Sequence, residues 1–325
     1  MGTKFLITML TIIYIFASPS KAAYFEMKLQ RNSFYSPAKM SLTIKLTDEA
    51  IVRDDYKIDI SIFVSESLTR RQRLEISREK PVVFELGFPQ VSSRVKALCR
   101  AELLINGQLI EGQELPLTLW PPLEPYSGKI SEKVLWVYDT SGYLRKFSDS
   151  LGIKIVDATF QAARQFATPD VVFIGINTDV NSIKTINKQL ELQKTKPVII
   201  YLKQKRLPKD INVEIPEEQK GPAEVVCDFN SPLLDGLNSF DIITLIRNSS
   251  YIKLKKQQEG TLINSVVSEE IKDPRNIYSY MFIIEQTEAV TIYCQLDSSD
   301  VENPQYQLLL TNLLRYAEKV VKSRE

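Results

Sequence analysis

The chain has 325 residues, enough for about two domains, and is 44% hydrophobic and 25% charged. Lys and Arg total 41 against 40 Asp and Glu, a net of +1, so no basic field marks a nucleic-acid partner. There is no histidine, which excludes any triad or metal site built on imidazole.

Residues 1–22 read as a secretory signal peptide. Lys4 supplies a positive start, and Phe5–Ala17 is a charge-free apolar run. Ser20-Lys21-Ala22 places small residues where a signal peptidase reads them, predicting cleavage before Ala23. The run is shorter than the roughly 20 residues a membrane span needs, and an uncleaved anchor is the alternative. An exported chain, periplasmic or extracellular, is expected, with no membrane span after cleavage. Losing Lys4 and Lys21 leaves 39 bases against 40 acids, a net of −1. The cysteines are Cys99, Cys227 and Cys294, an odd and sparse set. Cys99 and Cys294 sit in apolar strand patterns and are expected to be buried thiols. A Cys227–Cys294 bridge stays open.

Residues 24–120 alternate with period two, within a domain expected at 23–120. Ile58, Ile60, Ile62 and Val64 face one way, and Lys57, Asp59 and Ser61 the other. Leu42, Ile44 and Leu46 repeat the pattern, as do Phe84 and Leu86, and then Val95 through Ile105. Such alternation predicts half-buried antiparallel strands. Asn106-Gly107 predicts a tight hairpin turn. Many short strands without a helical stretch predict an immunoglobulin-like β-sandwich in architecture, lacking the Cys…Trp…Cys core. Residues 121–132 carry Pro121, Pro122, Pro125 and Gly128 and read as a linker.

From residue 133 the pattern changes. Short apolar runs at KVLWVYD, KIVDA, VVFIGIN and PVIIYLK alternate with helical stretches around Tyr143–Leu151, Phe160–Phe166 and Val180–Gln193. This order predicts a parallel α/β sheet over residues 133–325. Further strands are expected at 251–256, 281–286 and 289–297. A closing helix, about Pro304–Lys322, carries Leu308, Leu309, Leu313 and Leu314.

Ligands of open α/β sheets sit beyond the carboxyl ends of the strands. Asp139, Thr140, Ser141 and Tyr143 follow the first of them and Asn177 the third. These five are the candidate ligand-binding residues; a turn with a helix N-cap is the plain alternative. No G-x-G-x-x-G or G-x-x-x-x-G-K-[ST] occurs, so no cofactor is expected, and no metal. Lys203, Lys205 and Arg206 form either an anion-attracting or a solvated basic edge. Asp228, Asp235, Asp241, Glu285 and Asp297 lie near predicted strand ends. Tyr24, Phe25, Phe34, Tyr35, Trp120, Tyr126, Trp136 and Tyr143 gather near domain ends, suited to sugar stacking or to interdomain packing. Trp120 and Trp136 flank the linker and are expected at the interface. Asn248-Ser249-Ser250 is a glycosylation sequon.

Four segments carry a family resemblance. They are KVLWVYDTSGYLRKFSDSLGIKIVDA, PDVVFIGIN, SPLLDGL at 231–237, and TIYCQLDSSDVENPQYQLLLTNLLRYAEKV at 291–320. Residues 133–322 resemble a class I glutamine amidotransferase-like domain of the type near the C-terminus of some family 2-like glycosidases. Residues 24–120 are similar to the immunoglobulin-like modules that precede such domains. The resemblance implies a flavodoxin-like parallel α/β fold. Catalytic members use Cys, His and Glu. Here the turn around Leu202-Lys203-Gln204 offers no Cys, and Ser231 stands where the usual motif has His. The resemblance therefore implies a degenerate, non-catalytic domain. The expected function is an exported binding or scaffolding protein with a protein or glycan partner, linked to glycan degradation or the cell envelope. Alternatives are a subunit of an envelope transport or motility complex, and a carboxylate-dependent hydrolase acting through Asp139, Asp228 and Asp297.

Overall fold

The computed structural model describes residues 23–29, 31–47, 56–128, 133–161, 168–209, 211, 213–216, 225–246, 249–255, 261–268, 276–286, 289–297, 300 and 302–324. The signal segment 1–22, most of the helix expected at 160–166, the linker end 129–132 and Asn248 of the sequon lie outside them.

The N-terminal half contains β1 (Phe25–Lys28), β2 (Ser33–Tyr35), β3 (Ala38–Leu46), β4 (Tyr56–Val64), β5 (Ser67–Glu75), β6 (Val82–Phe88), β7 (Val95–Ile105) and β8 (Gln108–Trp120). They form two sheets, in the orders β1-β3-β6 and β2-β8-β7-β4-β5. Neighbours are antiparallel, except that β2 runs parallel to β8. Both sheets contribute to one core. Phe25, Leu42, Ile44 and Leu86 come from the smaller sheet, and Ile58, Ile60, Ile62, Cys99 and Leu103 from the larger. Alternation explains this directly: every second side chain leaves the pleat on the same face. Asn106 and Gly107 both take positive φ, +51° and +81°, as a tight hairpin turn between β7 and β8 requires.

Asp59 sits on the outer face of β4, yet its side chain is only 3% exposed. Edge strand β5 covers it. Arg73 Nε and Nη2 donate to its carboxylate at 2.5 and 2.7 Å, and Arg71 Nη2 donates at 2.8 Å. The hydrogen bond from Arg73, with help from Arg71, holds the Asp59 carboxyl below its usual value. A lowered folded pKa adds stability above the unfolded value, about 4, and that stability is lost as pH falls through the folded one. The urea midpoint is expected to drop on acidification below about pH 4, and to drop less in Asp59→Asn. Identical acid profiles for the two proteins would refute this assignment.

The second half contains β9 (Leu135–Tyr138), α1 (Tyr143–Leu151), β10 (Val156–Asp157), β11 (Val171–Ile174), α2 (Val180–Leu192), β12 (Val198–Leu202), β13 (Val213–Glu214), β14 (Val225–Cys227), α3 (Ser239–Ile246), β15 (Ile252–Lys255), β16 (Thr261–Ser268), β17 (Asn276–Glu285), β18 (Val290–Cys294) and α4 (Pro304–Lys322). A short 3-10 turn spans Pro232–Leu234. The sheet order is β10-β9-β11-β12-β18-β17-β15-β13, with β16 pairing β17 and β14 pairing β16. The run β10-β9-β11-β12-β18 is parallel. Beyond β18 every pairing is antiparallel. The expected all-parallel sheet is therefore corrected to a mixed one. The reason lies in the connections: no helix is described between β15, β16, β17 and β18, and parallel neighbours need a crossover. Both faces of the sheet are covered, with α1, α3 and α4 on one side and α2 on the other. That burial explains why the parallel strands read as continuous apolar runs.

Burial corrects one expectation and bears on two readings left open. Trp136 is 0% exposed and packs with Ile183, Ile186 and Leu190 of α2, so it belongs to a sheet face and not to the domain interface. Of the candidate stacking aromatics, Phe25, Phe34, Trp120, Trp136 and Tyr143 are buried, whereas Tyr24 is exposed. Cys227 and Cys294 are free, as is Cys99, so the bridge left open is not formed. Burial pushes the Cys294 thiol up to about 12 and those of Cys99 and Cys227 to about 11.

The halves meet through Arg94, which precedes β7. Its guanidinium lies 4.3 Å from the centre of the Trp120 ring. Nη1 and Nη2 donate to the two carboxylate oxygens of Asp241 in α3, at 2.7 and 2.6 Å. The Asp241 side chain is fully buried. Trp120 Nε1 donates to Ser33 Oγ at 2.7 Å, which fixes the ring. Arg31 reaches Glu302 at 2.6 Å, a second ion pair between the halves.

Candidate functional site

The chain passes from β9 to β10 on one side, then crosses to β11 on the other. The crevice beyond the carboxyl ends of β9 and β11 is thus the point where strand order reverses, where open α/β sheets bind ligands. Four of the five candidate residues follow β9, and Asn177 follows β11.

Asp139 organises the first loop. Its Oδ1 accepts from the Ser141 backbone and hydroxyl, at 3.0 and 2.5 Å, and Oδ2 accepts from Leu144 N at 2.8 Å. It thereby satisfies an orphan N–H in the first turn of α1, because the N-cap residue is Gly142, which has no side chain to do so. Thr140 and Ser141 are exposed. Tyr143 is buried beside Tyr306 of α4, with ring centres 6.3 Å apart. Burial pushes its hydroxyl well above the usual value. Asn177 is exposed with φ +52°, a conformation that asparagine tolerates, and its N–H donates to the Lys203 carbonyl at 3.1 Å. The structure therefore brings Asp139, Ser141 and the start of α1 together, and ties Asn177 to the neighbouring turn.

That turn follows β12. Lys203 adopts φ +33°, in the left-handed region, and its Nζ donates to Asp297 Oδ1 at 2.9 Å. Gln204 is buried; its Nε2 donates to the carbonyls of Gly175 and Leu202, both at 2.6 Å. Gln295, also buried, donates from Nε2 to the Gln204 carbonyl at 3.0 Å. The side-chain oxygens of both glutamines lack a hydrogen-bond partner among the described residues. Sequence reasoning missed both, because a glutamine carries no spacing signal. It also missed Gly175. An added methyl there would sit 2.9 Å from Asp139 Cβ and 3.0 Å from Asp139 Oδ1 and the Tyr138 carbonyl. Gly175→Ala is accordingly expected to destabilise by about 1–3 kcal/mol, seen as a lower urea midpoint, with altered amide signals at Asp139 and Ser141. A stability equal to the parent would mean the two loops are not this close.

Three of the remaining acids near strand ends are occupied. Asp228 accepts from Asn230 N at 3.1 Å, Asp241 holds Arg94, and Glu285 accepts from the Tyr316 hydroxyl. Among the described residues no three of Cys, Asp or Glu come together to hold a metal ion. Among them, too, no helix is long and apolar enough to cross a membrane. Chemically the crevice offers buried carbonyl acceptors and a neutralised ion pair. At the turn after β12 stands a lysine engaged with a carboxylate.

No family model and no curated protein sequence matches the chain. Among solved structures it is similar to the superoxide reductase (neelaredoxin) from Ignicoccus hospitalis at 7% identity, covering 30% of this chain and 80% of that one, with a TM-score of 0.23. It is similar to the β-glucuronidase of Parabacteroides merdae at 9% identity, covering 55% and 23%, with a TM-score of 0.24. Cwp6 from Clostridium difficile gives 11% identity, 55% and 37%, and a TM-score of 0.21. Likenesses this low carry no argument about fold or activity.

Proposed function

We propose that the chain is an exported, non-catalytic binding or scaffolding protein. In this reading an immunoglobulin-like sandwich is clamped to a degenerate glutamine amidotransferase-like domain. The observation that carries it is the turn after β12: Lys203 occupies the strand end, in left-handed backbone, and its amine is held by Asp297. A nucleophile elbow needs Ser or Cys at such a turn. Support for a flavodoxin-like layout comes from the parallel run. Renumbered along the chain, β9, β10, β11, β12 and β18 stand in the order 2-1-3-4-5. The bidentate Arg94–Asp241 pair makes the two halves one presenting surface. The ligand crevice of this reading is Asp139, Thr140, Ser141, Tyr143 and Asn177.

The test uses purified protein in a broad glycan screen and in pull-downs from envelope fractions. Saturable binding that Thr140→Arg weakens supports the proposal, and the class of ligand captured separates a glycan role from an envelope-complex one. Hydrolysis of a glycoside or amide, abolished by Asp139→Ala or Asp297→Ala, would replace it with an enzyme. An absence of binding in both formats would end it.

A further inference from the structure

A cleft of about 340 Å³ lies far along the chain from the strand-end crevice, where the linker crosses the C-terminal part of α4. Tyr126, Ser127 and Gly128 form one wall, and Arg315, Glu318, Lys319 and Lys322 the other. Its size is in the range of small-ligand pockets, about 300–1,000 Å³. Its charge is one-sided. Among the described residues Glu318 is the sole acid in the lining, and its carboxylate is already engaged. Oε2 accepts from the Tyr126 hydroxyl at 2.8 Å, and Oε1 from Lys322 Nζ at 2.6 Å. Arg315 and Lys319 make no ion pair with an acid among the described residues.

Ordinary helix electrostatics explains only part of this. Lys319 and Lys322 lie in the last turn of α4, where cations meet the negative end of the dipole. Arg315 lies further in, one turn before Lys319, and like charges four residues apart repel on a helix. An oxyanion between them converts that repulsion into attraction, with the guanidinium offering a two-pronged fork and the ammonium a point charge. The linker shapes the opposite wall. A methyl on Gly128 would fall 2.5 Å from Glu318 Oε2 and closer still to the Tyr126 ring, so both side chains would have to shift to admit it.

We propose that this cleft binds a small ligand through a carboxylate or phosphate group held by Arg315 and Lys319. The site goes beyond the reading above, and its failure leaves binding at the strand-end crevice untouched.

The full chain is titrated by calorimetry with inorganic phosphate and, separately, with glucuronate, at constant ionic strength. Saturable binding at about 1 mM or tighter to either anion is expected. The tighter of the two identifies the source as a phosphorylated or a uronic ligand. Arg315→Gln with Lys319→Gln should weaken it at least about tenfold, while the melting temperature without ligand stays close to that of the parent. Lys184→Gln with Lys188→Gln, the same charge loss on exposed positions of α2, should leave the affinity unchanged. Gly128→Ala, which crowds Glu318 and Tyr126, should also weaken binding. No saturable binding to either anion overturns the proposal. So does equal weakening by the α2 pair, which would reduce the effect to net charge.

Discussion

Arg94→Ala is expected to lower stability by about 3–5 kcal/mol, the cost of breaking a buried ion pair from one side. The loss exceeds that of an exposed pair because Asp241 is fully buried whereas Arg94 is about one-quarter exposed. Without the guanidinium, the Asp241 carboxylate keeps the backbone N–H of Asn238, at 2.8 Å. The stacking of Arg94 on Trp120 is lost as well. Arg94→Lys keeps a charge but not the fork, so it should fall between parent and alanine. Arg94→Ala combined with Asp241→Asn should recover part of the loss, because the stranded charge is removed with its partner. Urea unfolding gives the stabilities, and limited proteolysis in 121–132 reports on the joint, with Arg94→Ala expected to be cut fastest. An alanine variant within about 0.5 kcal/mol of the parent would show that the contact is a surface pair in solution.

Trp136→Ala is expected to cost about 3–5 kcal/mol through the cavity left in the sheet face. Trp136 is 0% exposed and lies in the cluster that joins Val172 and Ile174 to α2. Its indole N–H has no hydrogen-bond partner among the described residues. Trp136→Phe should therefore cost distinctly less than alanine. It keeps most of the packing and removes a buried donor whose desolvation is uncompensated. Chemical unfolding of the two variants checks the order; phenylalanine as damaging as alanine would point to a satisfied indole.

Legibility in the sequence followed solvent exposure. β4 was readable as KIDISIFV because each of its faces meets a different environment, and α1 was readable as a helical stretch at Tyr143–Leu151. β5 was not. SLTRRQRLE is mostly polar because an edge strand is largely exposed, and pairing with β4 makes it a strand. α3 was missed for the opposite reason: SFDIITLI is so apolar that it shows no helical stripe. The candidate crevice was partly readable, since strand ends are visible wherever an apolar run stops at Asp139 or Asn177. Gln204, Gln295 and Gly175 were not, because their roles come from side chains and backbone meeting across separate loops. The Arg94–Asp241 contact joins residues 147 positions apart, and no local pattern announces it.

The order of the sheet also sets a timetable for synthesis. β18 lies between β12 and β17 and is hydrogen-bonded to both, although Val290–Cys294 is the last strand of the chain. Until it emerges, β12 and β17 each present an open edge, and the parallel and antiparallel parts of the sheet have nothing to join them. α4, which covers one face of that seam, follows later still. The C-terminal half therefore closes only once Val290–Cys294 has been made. A chain ending before residue 290 would retain the sandwich strands but carry two unsatisfied strand edges, the surfaces most prone to pair with another copy.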